Sequence, residues 1–254
     1  MKITIAGYGV LGKAHEAILG HKHELRIADP QTNGKNVADF ANEVDGVICC
    51  VSTPAREDGN CEMKNVFEVI DQTKESTPII IRSTISLEGW DMLRDSFPKH
   101  KLTFCPEFLR AATAEKDMWS QTVLYMGGDS IEFWYDAYSK AIPTLNVGRV
   151  DPKVLIAGKY FRNAYLATKV SFFNQIFDFC EAKGIDYNTV AQVVGIDPRI
   201  GGSHTAITEE RGFGGHCFPK DASAIIRSAD RDGINLSILK EAVAYNKKIR
   251  KTPN

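Results

Sequence analysis

Short apolar runs alternate with helix-compatible segments over about the first 145 residues. The runs that predict strands lie at 2–6, 25–28, 47–51, 79–81, 102–104 and 123–126. Helix-compatible segments lie between most of them, for example at 13–19, 66–74 and 87–97. A chain that alternates strands and helices in this way forms a parallel sheet with helices on both faces. The sequence therefore predicts a doubly wound α/β fold for this region.

Glycines occupy the turn between the first strand and the first helix, at Gly7, Gly9 and Gly12. Gly7 permits the tight turn, Gly9 lets a pyrophosphate approach the main chain, and Gly12 lets the helix pack on the strand. Asp29 ends the next strand, where a carboxylate binds both hydroxyls of an adenosine ribose and repels a 2′-phosphate. The alternative is a turn whose glycines are only structural. We predict an NAD site in a Rossmann-like domain, with a cofactor loop of Gly7, Tyr8, Gly9, Val10, Leu11 and Gly12.

The pattern changes near residue 151. From there to about 183 the spacing of apolar residues is helical and rich in aromatics, which predicts one helix of about 30 residues. Shorter helices are predicted at 187–194, 220–231 and 236–250. The long helix is apolar on several sides, so it is either buried between domains or part of a dimer interface, which we favour. The predicted domains are 1–150, which binds NAD, and 151–254, an α-helical domain built on the long helix.

Composition excludes several classes of function. The formal net charge of −1 gives no reason to expect nucleic acid or an anionic membrane as a partner, and no apolar run approaches the roughly 20 residues of a membrane helix. A strand-like pattern begins at Lys2, so no signal peptide is expected. The six cysteines form no CxxC pair, so neither a disulfide framework nor a metal site is expected. A cytoplasmic location fits best.

The segment 212–221, with the sequence GFGGHCFPKD, places three glycines shortly before a cysteine. Bare main-chain N–H groups in such a loop favour anions. Pro219 marks the first turn of a following helix, so the helix dipole and the ammonium of Lys220 both favour thiolate at Cys217. Free cysteines are most often buried and inert, but this loop is a poor place for an inert one. The sequence predicts Cys217 as a nucleophile.

Four further polar residues are candidates for chemistry. Lys159 and Asn163 share one face of the long helix and could stabilise an oxyanion, unless both are simply solvated. Asp221, one turn after Cys217, could orient Lys159 or a water, or serve as a first-turn helix acid. Glu107 follows a strand, where α/β active sites lie, although a surface carboxylate would need no explanation.

These motifs together resemble the nucleotide-sugar 6-dehydrogenases, typified by UDP-glucose and GDP-mannose dehydrogenases. They occur in family order along almost the whole chain, and the 212–221 run is the most specific of them. The matching segments are 7–12, 51–54, 83–85, 106–110, Lys159 with Asn163, 197–201 and 212–221.

The resemblance implies a four-electron oxidation of a primary alcohol of a nucleotide sugar to the acid, with NAD as cofactor. Cys217 would attack the intermediate aldehyde to form a thiohemiacetal, which becomes a thioester and is hydrolysed. Lys159 and Asn163 would hold the developing oxyanion. Asp221 would help to move water and protons, and Glu107 would assist thioester hydrolysis.

The resemblance also implies where cofactor and substrate bind. The NAD site would be completed by Ser52, Thr53, Pro54, Thr84 and Lys220. Substrate contacts would come from Phe108, Leu109, Arg110, Phe213 and Gly214. Arg199 would reach the substrate of the neighbouring subunit across a homodimer formed by the long helix.

Three features depart from the family pattern. The family carries a third, C-terminal domain. The sequence stops at Asn254, before that domain would begin, so we expect a short form that lacks it. Ala111 stands where the PEFLxE motif has its second glutamate. Glu209 and Glu210 fit a diphosphate poorly, and Arg211 is the residue that would offset them. Two alternatives stay open: a one-step hydroxyacid dehydrogenase, which leaves Cys217 unexplained, and a catalytically reduced, NAD-binding dimer.

Overall fold

The computed structural model describes residues 1–54, 56, 61–215 and 217–252. The chain forms two compact units, which are described separately below. The first contains Met1–Arg56 and Cys61–Lys159, and the second contains Tyr160–Asn254.

The first unit is a seven-stranded sheet with helices in its connections, which confirms the predicted Rossmann-like α/β fold. The strand order is β2-β1-β3-β4-β5-β6-β7. Its strands and helices are β1 (Lys2–Ala6), α1 (Val10–Leu19), β2 (Glu24–Ala28), β3 (Gly46–Cys49), α2 (Lys64–Asp71), β4 (Ile79–Ile81), α3 (Leu87–Ser96), β5 (Leu102–Phe104), α4 (Ala114–Trp119), β6 (Val123–Gly128), α5 (Ile131–Ala141) and β7 (Asn146–Arg149).

The sheet brings the ends of its first strands to one edge. β1 pairs in parallel with β2 on one side and with β3 on the other, so Ile5 lies opposite both Ile27 and Ile48. After β2 the chain crosses to the far side of β1, which makes the gap between β1 and β3 a topological switch point. Ligands of open α/β sheets bind outside the carboxyl ends of the strands at such a point.

Two strands depart from the predicted parallel sheet: β6 runs antiparallel to β5, and β7 shares the direction of β6. An antiparallel neighbour begins at the edge of the sheet where the preceding strand ends. The segment 105–122, which contains the short helix α4, therefore need not cross back over the sheet. β7 then pairs in parallel with β6. The apolar pattern of a buried strand carries no information on its direction.

The core of the first unit is built from isoleucines of the central strands and from two aromatic residues of α5. Ile3, Ile5 and Ile48 are fully buried and pack in one cluster with Trp134 and Tyr138. Each such side chain contributes roughly 1.5–3 kcal/mol of hydrophobic stabilisation relative to an exposed position. This core fixes the strand ends that carry the candidate site.

The second unit is helical and contains most of the long helix α6 (Pro152–Lys183), which starts in the first unit. It continues with α7 (Tyr187–Gly195), α8 (Cys217–Arg231) and α9 (Ser237–Ile249). At 32 residues, α6 has the length that the sequence predicts. It ends at Gly184, whose φ of +65° is the left-handed conformation that terminates helices, and the N–H of Ile185 then donates to the carbonyl of Cys180.

Two faces of α6 differ in burial. Phe173 and Cys180 are buried against Tyr187 of α7. Four other large side chains of the helix are about half exposed: Phe161, Tyr165, Phe172 and Phe179. Within the described residues, no helix combines the length and the apolar character needed to cross a membrane.

Candidate active site

A cavity of about 540 Å³ lies at the carboxyl ends of β1, β2 and β3. Its floor is the loop from Gly7 to Leu11, and one wall is the segment from Ala28 to Thr32. Ser52 and residues of α2 also line it. The cavity therefore occupies the switch point, and it brings together most of the residues that the sequence predicts for the cofactor.

The glycines of this loop have different roles. Gly7 has a φ of +90°, and a Cβ there would lie 2.8 Å from the main chain of Cys50. A Cβ on Gly12 would overlap the carbonyl oxygen of Gly7. A Cβ on Gly9 would meet no atom of the protein within 4 Å, so this glycine leaves space for a ligand rather than for the fold.

Asp29 shapes the cavity before any ligand is bound. One carboxylate oxygen accepts a hydrogen bond from the N–H of Tyr8 at 2.6 Å, and the other accepts from the N–H groups of Gln31 and Thr32 at 2.9 and 3.0 Å. Burial opposes the charge, but these backbone hydrogen bonds outweigh it and hold the pKa of Asp29 below its usual value. An ionised, partly exposed carboxylate fits an adenosine ribose and disfavours a 2′-phosphate, so the residues present fit NAD.

The other residues predicted for the cofactor are not among the described residues that line this cavity. They are Gly12, Thr53, Pro54 and Thr84 of the first unit and Lys220 of the second. Thr53 is buried in the loop after β3, and Thr84 follows β4. The hydroxyl of Ser83 donates to the carbonyl of Val51 at 2.7 Å and joins these two loops. Their part in NAD binding stays a prediction.

Glu107 lies just after β5, beside a buried arginine that sequence reasoning missed. The Arg82 guanidinium is 1 % exposed, donates to the sulfur of Cys105, and has Nη2 3.5 Å from Oε2 of Glu107. The N–H of Leu109 donates to the other oxygen of Glu107. Burial opposes the charge of Arg82, but its surroundings, Cys105 first and Glu107 among them, raise its pKa. The sequence signal for Arg82 was its position directly after the apolar strand β4, where a charged residue is unusual.

Lys159 lies in the second turn of α6, is buried, and belongs to the first unit, as Glu107 does. Burial raises the pKa of the Cys105 thiol, and Arg82 and Lys159 partly offset that effect. Two cationic groups thus act on the region after β5, where Glu107 is held. The arrangement suits the handling of negative charge.

His15 of α1 is fully buried, and the sequence did not single it out. Its Nδ1 lies 2.8 Å from the carbonyl of Leu11 and 3.8 Å from the sulfur of Cys50. Burial, with a contribution from the charge of Arg82, lowers the pKa of His15 to about 3. A neutral imidazole therefore supports the helix that follows the cofactor loop.

The second unit presents the predicted nucleophile. Cys217 is exposed and is the first residue of α8, so the helix begins two residues before Pro219 rather than at it. Asp221, one turn later, is 1 % exposed and accepts a hydrogen bond from the side-chain amide of Asn163 at 2.6 Å. Lys220 lies 3.0 Å from the other oxygen of Asp221. The structure thus joins two predicted residues that are 58 positions apart.

The residues predicted to bind the substrate differ in their exposure to solvent and in their contacts. Phe213 is buried and packs edge-on against Phe218, with ring centroids 6.4 Å apart. Arg110 pairs with Asp117 at 2.6 Å. Arg199, whose side chain is 87 % exposed, pairs with Asp197 two residues before it. Phe108, Leu109 and Gly214 are partly exposed.

Arg211 does not offset Glu209 and Glu210 in the way the sequence suggested. Its Nη2 donates to Asp178 at 2.6 Å, and its guanidinium lies 4.6 Å from the centre of the Phe177 ring. The guanidinium is therefore committed to α6.

The two units match two models of one family. The NAD binding domain of the UDP-glucose/GDP-mannose dehydrogenase family matches residues 30–134, and the central domain of that family matches residues 156–248. The chain belongs to the UDP-glucose/GDP-mannose dehydrogenase family. This confirms the resemblance drawn from the motifs, and it identifies the first unit as an NAD-binding domain.

Curated relatives in the UDP-glucose/GDP-mannose dehydrogenase family carry the name UDP-glucose 6-dehydrogenase. One from Rickettsia typhi is 30 % identical over 224 residues, which are 82 % of this chain and 50 % of the relative. One from Pseudomonas aeruginosa is 29 % identical over 232 residues, again with 50 % of its length covered. The chain therefore spans about half the length of these relatives.

Solved structures show the same fold. A UDP-glucose dehydrogenase from Pyrobaculum islandicum superposes with a TM-score of 0.82 at 23 % identity, over 97 % of this chain and 68 % of that one. A 3-hydroxyisobutyrate dehydrogenase from Mycobacterium tuberculosis superposes with a TM-score of 0.73 at 17 % identity, over 97 % of this chain and 93 % of that one. At these identities the likeness concerns architecture alone.

Proposed function

We propose that this chain performs the NAD-dependent oxidation of a primary alcohol of a nucleotide sugar to the carboxylate, in two steps. Two equivalents of NAD supply the chemistry by accepting one hydride each, and one water supplies the second oxygen of the acid. The product retains the carbon skeleton, and three protons are released. The residues from Gly7 to Gly12 and Asp29 would hold the cofactor.

In this proposal Cys217 keeps the intermediate bound. Its sulfur forms a bond to the aldehyde carbon, and the oxygen takes up a proton, which gives a thiohemiacetal. Loss of the second hydride and of that proton leaves a thioester. Lys159 and the Asn163 amide stabilise the negative charge on oxygen while the sulfur adds. Asp221 orients Asn163 through the hydrogen bond of 2.6 Å.

Hydrolysis of the thioester needs a base for the attacking water, and we assign this role to Glu107. Its carboxylate is oriented by the N–H of Leu109 and faces Arg82. Water adds to the thioester carbon, the bond to the sulfur breaks, and Cys217 is restored as a thiol or thiolate. Asp221 assists the movement of protons.

The observation that carries the proposal is Cys217 itself, which is exposed at the first position of α8, next to a glycine-rich loop. The N-terminal turn of a helix favours a negative charge on sulfur. A one-step oxidation has no use for such a thiol. The names of the relatives support a nucleotide sugar as the substrate.

The test is the number of NADH molecules formed for each substrate molecule, measured by absorbance with UDP-glucose, GDP-mannose and small hydroxyacids. We expect two for a nucleotide sugar, and loss of the full oxidation in Cys217→Ala while NAD binding persists. Cys61→Ala serves as the matched control. Unchanged turnover in Cys217→Ala would refute the mechanism. One NADH from a hydroxyacid would select the one-step alternative, and NAD binding without any reduction would select the reduced dimer.

We further propose a division of labour and a homodimer. Residues 1–150 bind NAD, and residues 151–254 carry the thiol and the subunit contact. The dimer would form through the half-exposed Phe161, Tyr165, Phe172 and Phe179 of α6, a row too apolar to favour exposure to water. Arg199 would then approach the substrate of the neighbouring subunit. Phe172→Glu should convert a dimer to a monomer in light scattering, and a wild-type monomer would refute it.

We also propose that the reaction takes place in the cytoplasm. All six cysteines are free in the structure, and the mechanism depends on a reduced thiol. Fractionation of the native cells with an antibody against the chain tests this location, and recovery outside the cytoplasmic fraction would contradict it.

A further inference from the structure

The side chain of Asn246 binds the main chain of the loop that leads to Cys217. Its Oδ1 accepts from the N–H of Phe213 at 2.6 Å, and its Nδ2 donates to the carbonyl of the same residue at 2.9 Å. Asn246 is only 1 % exposed although it belongs to the last part of α9. A buried amide that pairs with both main-chain groups of one residue restricts that residue to one conformation.

Two other side chains hold the residues next to Phe213. Oδ1 of Asn174 in α6 accepts from the N–H of Gly212 at 3.1 Å and from Nε of Arg211 at 2.9 Å. Nη1 of Arg250, just after α9, donates to the carbonyl of Arg211 at 3.0 Å. We call Asn174, Asn246 and Arg250 the loop clamp. It fixes three consecutive residues from two helices that are far apart in sequence.

Two glycines of the loop make room for the loop clamp. A Cβ on Gly212 would overlap Oδ1 of Asn246, and φ at this residue is +55°. A Cβ on Gly214 would overlap the guanidinium of Arg250. Gly212 is therefore required by its left-handed conformation and by the Asn246 amide, whereas a side chain at Gly214 would displace the flexible end of Arg250.

A loop with three glycines has many accessible conformations, so restricting it to one of them carries a large cost in conformational entropy. Phe213 precedes Cys217 by only four residues, so the conformation at Phe213 limits where α8 can begin. We propose that Asn246 is a positioning residue: it holds the glycine-rich loop in one conformation and thereby fixes the direction from which the Cys217 sulfur approaches a bound carbonyl. The effect on the sulfur rests on the proposed function, whereas the clamp does not.

Hydrogen exchange measures the clamp without any substrate. Asn246→Ala removes the acceptor of the Phe213 N–H, so we expect the exchange of this amide, followed by NMR in the full chain, to become at least roughly tenfold faster. Lys240→Ala is the matched control, because Lys240 lies on α9 as Asn246 does and its substitution breaks only a contact with Asp230 of α8, at 2.6 Å. Unchanged exchange at Phe213 in Asn246→Ala would overturn the clamp.

Two further variants keep the test decisive if Asn246→Ala fails to fold. Asn246→Asp keeps the size of the side chain and the acceptor for the N–H, but it places an oxygen against the Phe213 carbonyl, so the loop should still open. Asn174→Ala should accelerate exchange at Gly212 more than at Phe213. Equal acceleration of both amides in Asn174→Ala and Asn246→Asp would indicate general loosening and would overturn the separate role of Asn246.

Turnover then tests the positioning of the thiol. In Asn246→Asp we expect kcat for the complete oxidation to fall at least roughly tenfold, with KM for NAD unchanged, because the first unit is untouched. Lys240→Ala should leave both constants unchanged. Fast exchange at Phe213 with wild-type kcat would overturn the positioning role. If the wild-type chain oxidises no nucleotide sugar, the proposed function fails, and the exchange result still decides the clamp.

Discussion

The cavity at the Gly7–Gly12 turn and the Cys217 loop are both rich in glycine, yet they are held in place by different means. In the cavity, the turn from Gly7 to Gly12 is shaped by the main chain of neighbouring strands and by one carboxylate, Asp29. In the loop, the main chain is held by side chains from α6 and α9, with Asn246 at the centre. Glycine allows a tight turn in the first case and the close approach of side chains in the second.

The two glycine-rich segments also differ in how far along the sequence the residues lie that determine their conformation. The cofactor turn connects β1 and α1, so the spacing of its glycines can be read from consecutive residues, although Asp29 and the main chain of Cys50 also contact it. The Cys217 loop depends on Asn174 and Asn246, which lie 38 residues before Gly212 and 33 residues after Phe213. A motif of the second kind can keep its glycines and its cysteine and still lose its geometry through a distant substitution.

The largest effect is expected where the main chain itself is blocked. Gly12→Ala places a methyl group against the carbonyl of Gly7, which should lower the free energy of unfolding by about 3 kcal/mol and abolish NAD binding. Gly9→Ala is the control: it meets no protein atom, so stability should be kept while NAD binds at least roughly tenfold more weakly. Chemical denaturation and calorimetric titration measure the two quantities. Equal stability of both variants would break the comparison.

A buried ion pair should matter more than an exposed one in the same unit. Arg82→Met removes the guanidinium between Cys105 and Glu107, and we expect a loss of about 3 kcal/mol in the free energy of unfolding. Arg110→Met is the matched control, since its pair with Asp117 is on the surface and should contribute less than about 1 kcal/mol. Similar losses in denaturant titrations would contradict the importance of burial at Arg82.

His15 should give the first unit a distinctive dependence on pH. Burial lowers its pKa to about 3 from an ordinary value near 6.5, so between these values the unfolded chain binds a proton that the folded chain does not. Stability must therefore fall as pH falls, by on the order of 2 kcal/mol between pH 7 and pH 5. His15→Gln should flatten this part of the stability curve. An unchanged slope in that variant would show that other groups cause it.

The smallest expected effect concerns Arg211, where backbone strain and side-chain hydrogen bonds act in opposite directions on stability. Its φ of +59° is costly for any residue but glycine, and its side chain offsets this cost through Asn174 and Asp178. Arg211→Ala loses the contacts and keeps the strain, whereas Arg211→Gly loses both. We expect Arg211→Gly to be more stable than Arg211→Ala by about 1 kcal/mol in thermal unfolding. The reverse order would mean that the left-handed conformation is not maintained in the variants.

Much of the architecture could be predicted from local patterns. The long helix was expected from 151 to 183 and is found at Pro152–Lys183. It could be predicted because the apolar periodicity of a helix is a property of consecutive residues. Gly7 and Asp29, which the motif spacing selects together, line one cavity. Their part in NAD binding stays a prediction. α5 and β7 were not assigned, because the segment 131–149 carries no distinctive motif.

The buried polar groups could not be predicted in the same way. Arg82, His15 and Asn246 are polar residues that sequence patterns assign to solvent-facing positions, and only the tertiary structure buries them. The antiparallel direction of β6 was missed because alternation and apolar content are the same in both directions. The partner of Arg211, Asp178, lies 33 residues earlier and has no signal of its own.

The three hydrogen bonds that Asp29 accepts bear on any attempt to retune cofactor choice. Exchanging this aspartate for a neutral or basic residue is the usual way to admit a phosphorylated ribose, but here the same carboxylate also anchors Tyr8, Gln31 and Thr32. An engineer who replaced it would disturb the shape of the binding surface together with its charge. A redesign for NADP would have to rebuild the turn after β2 at the same time.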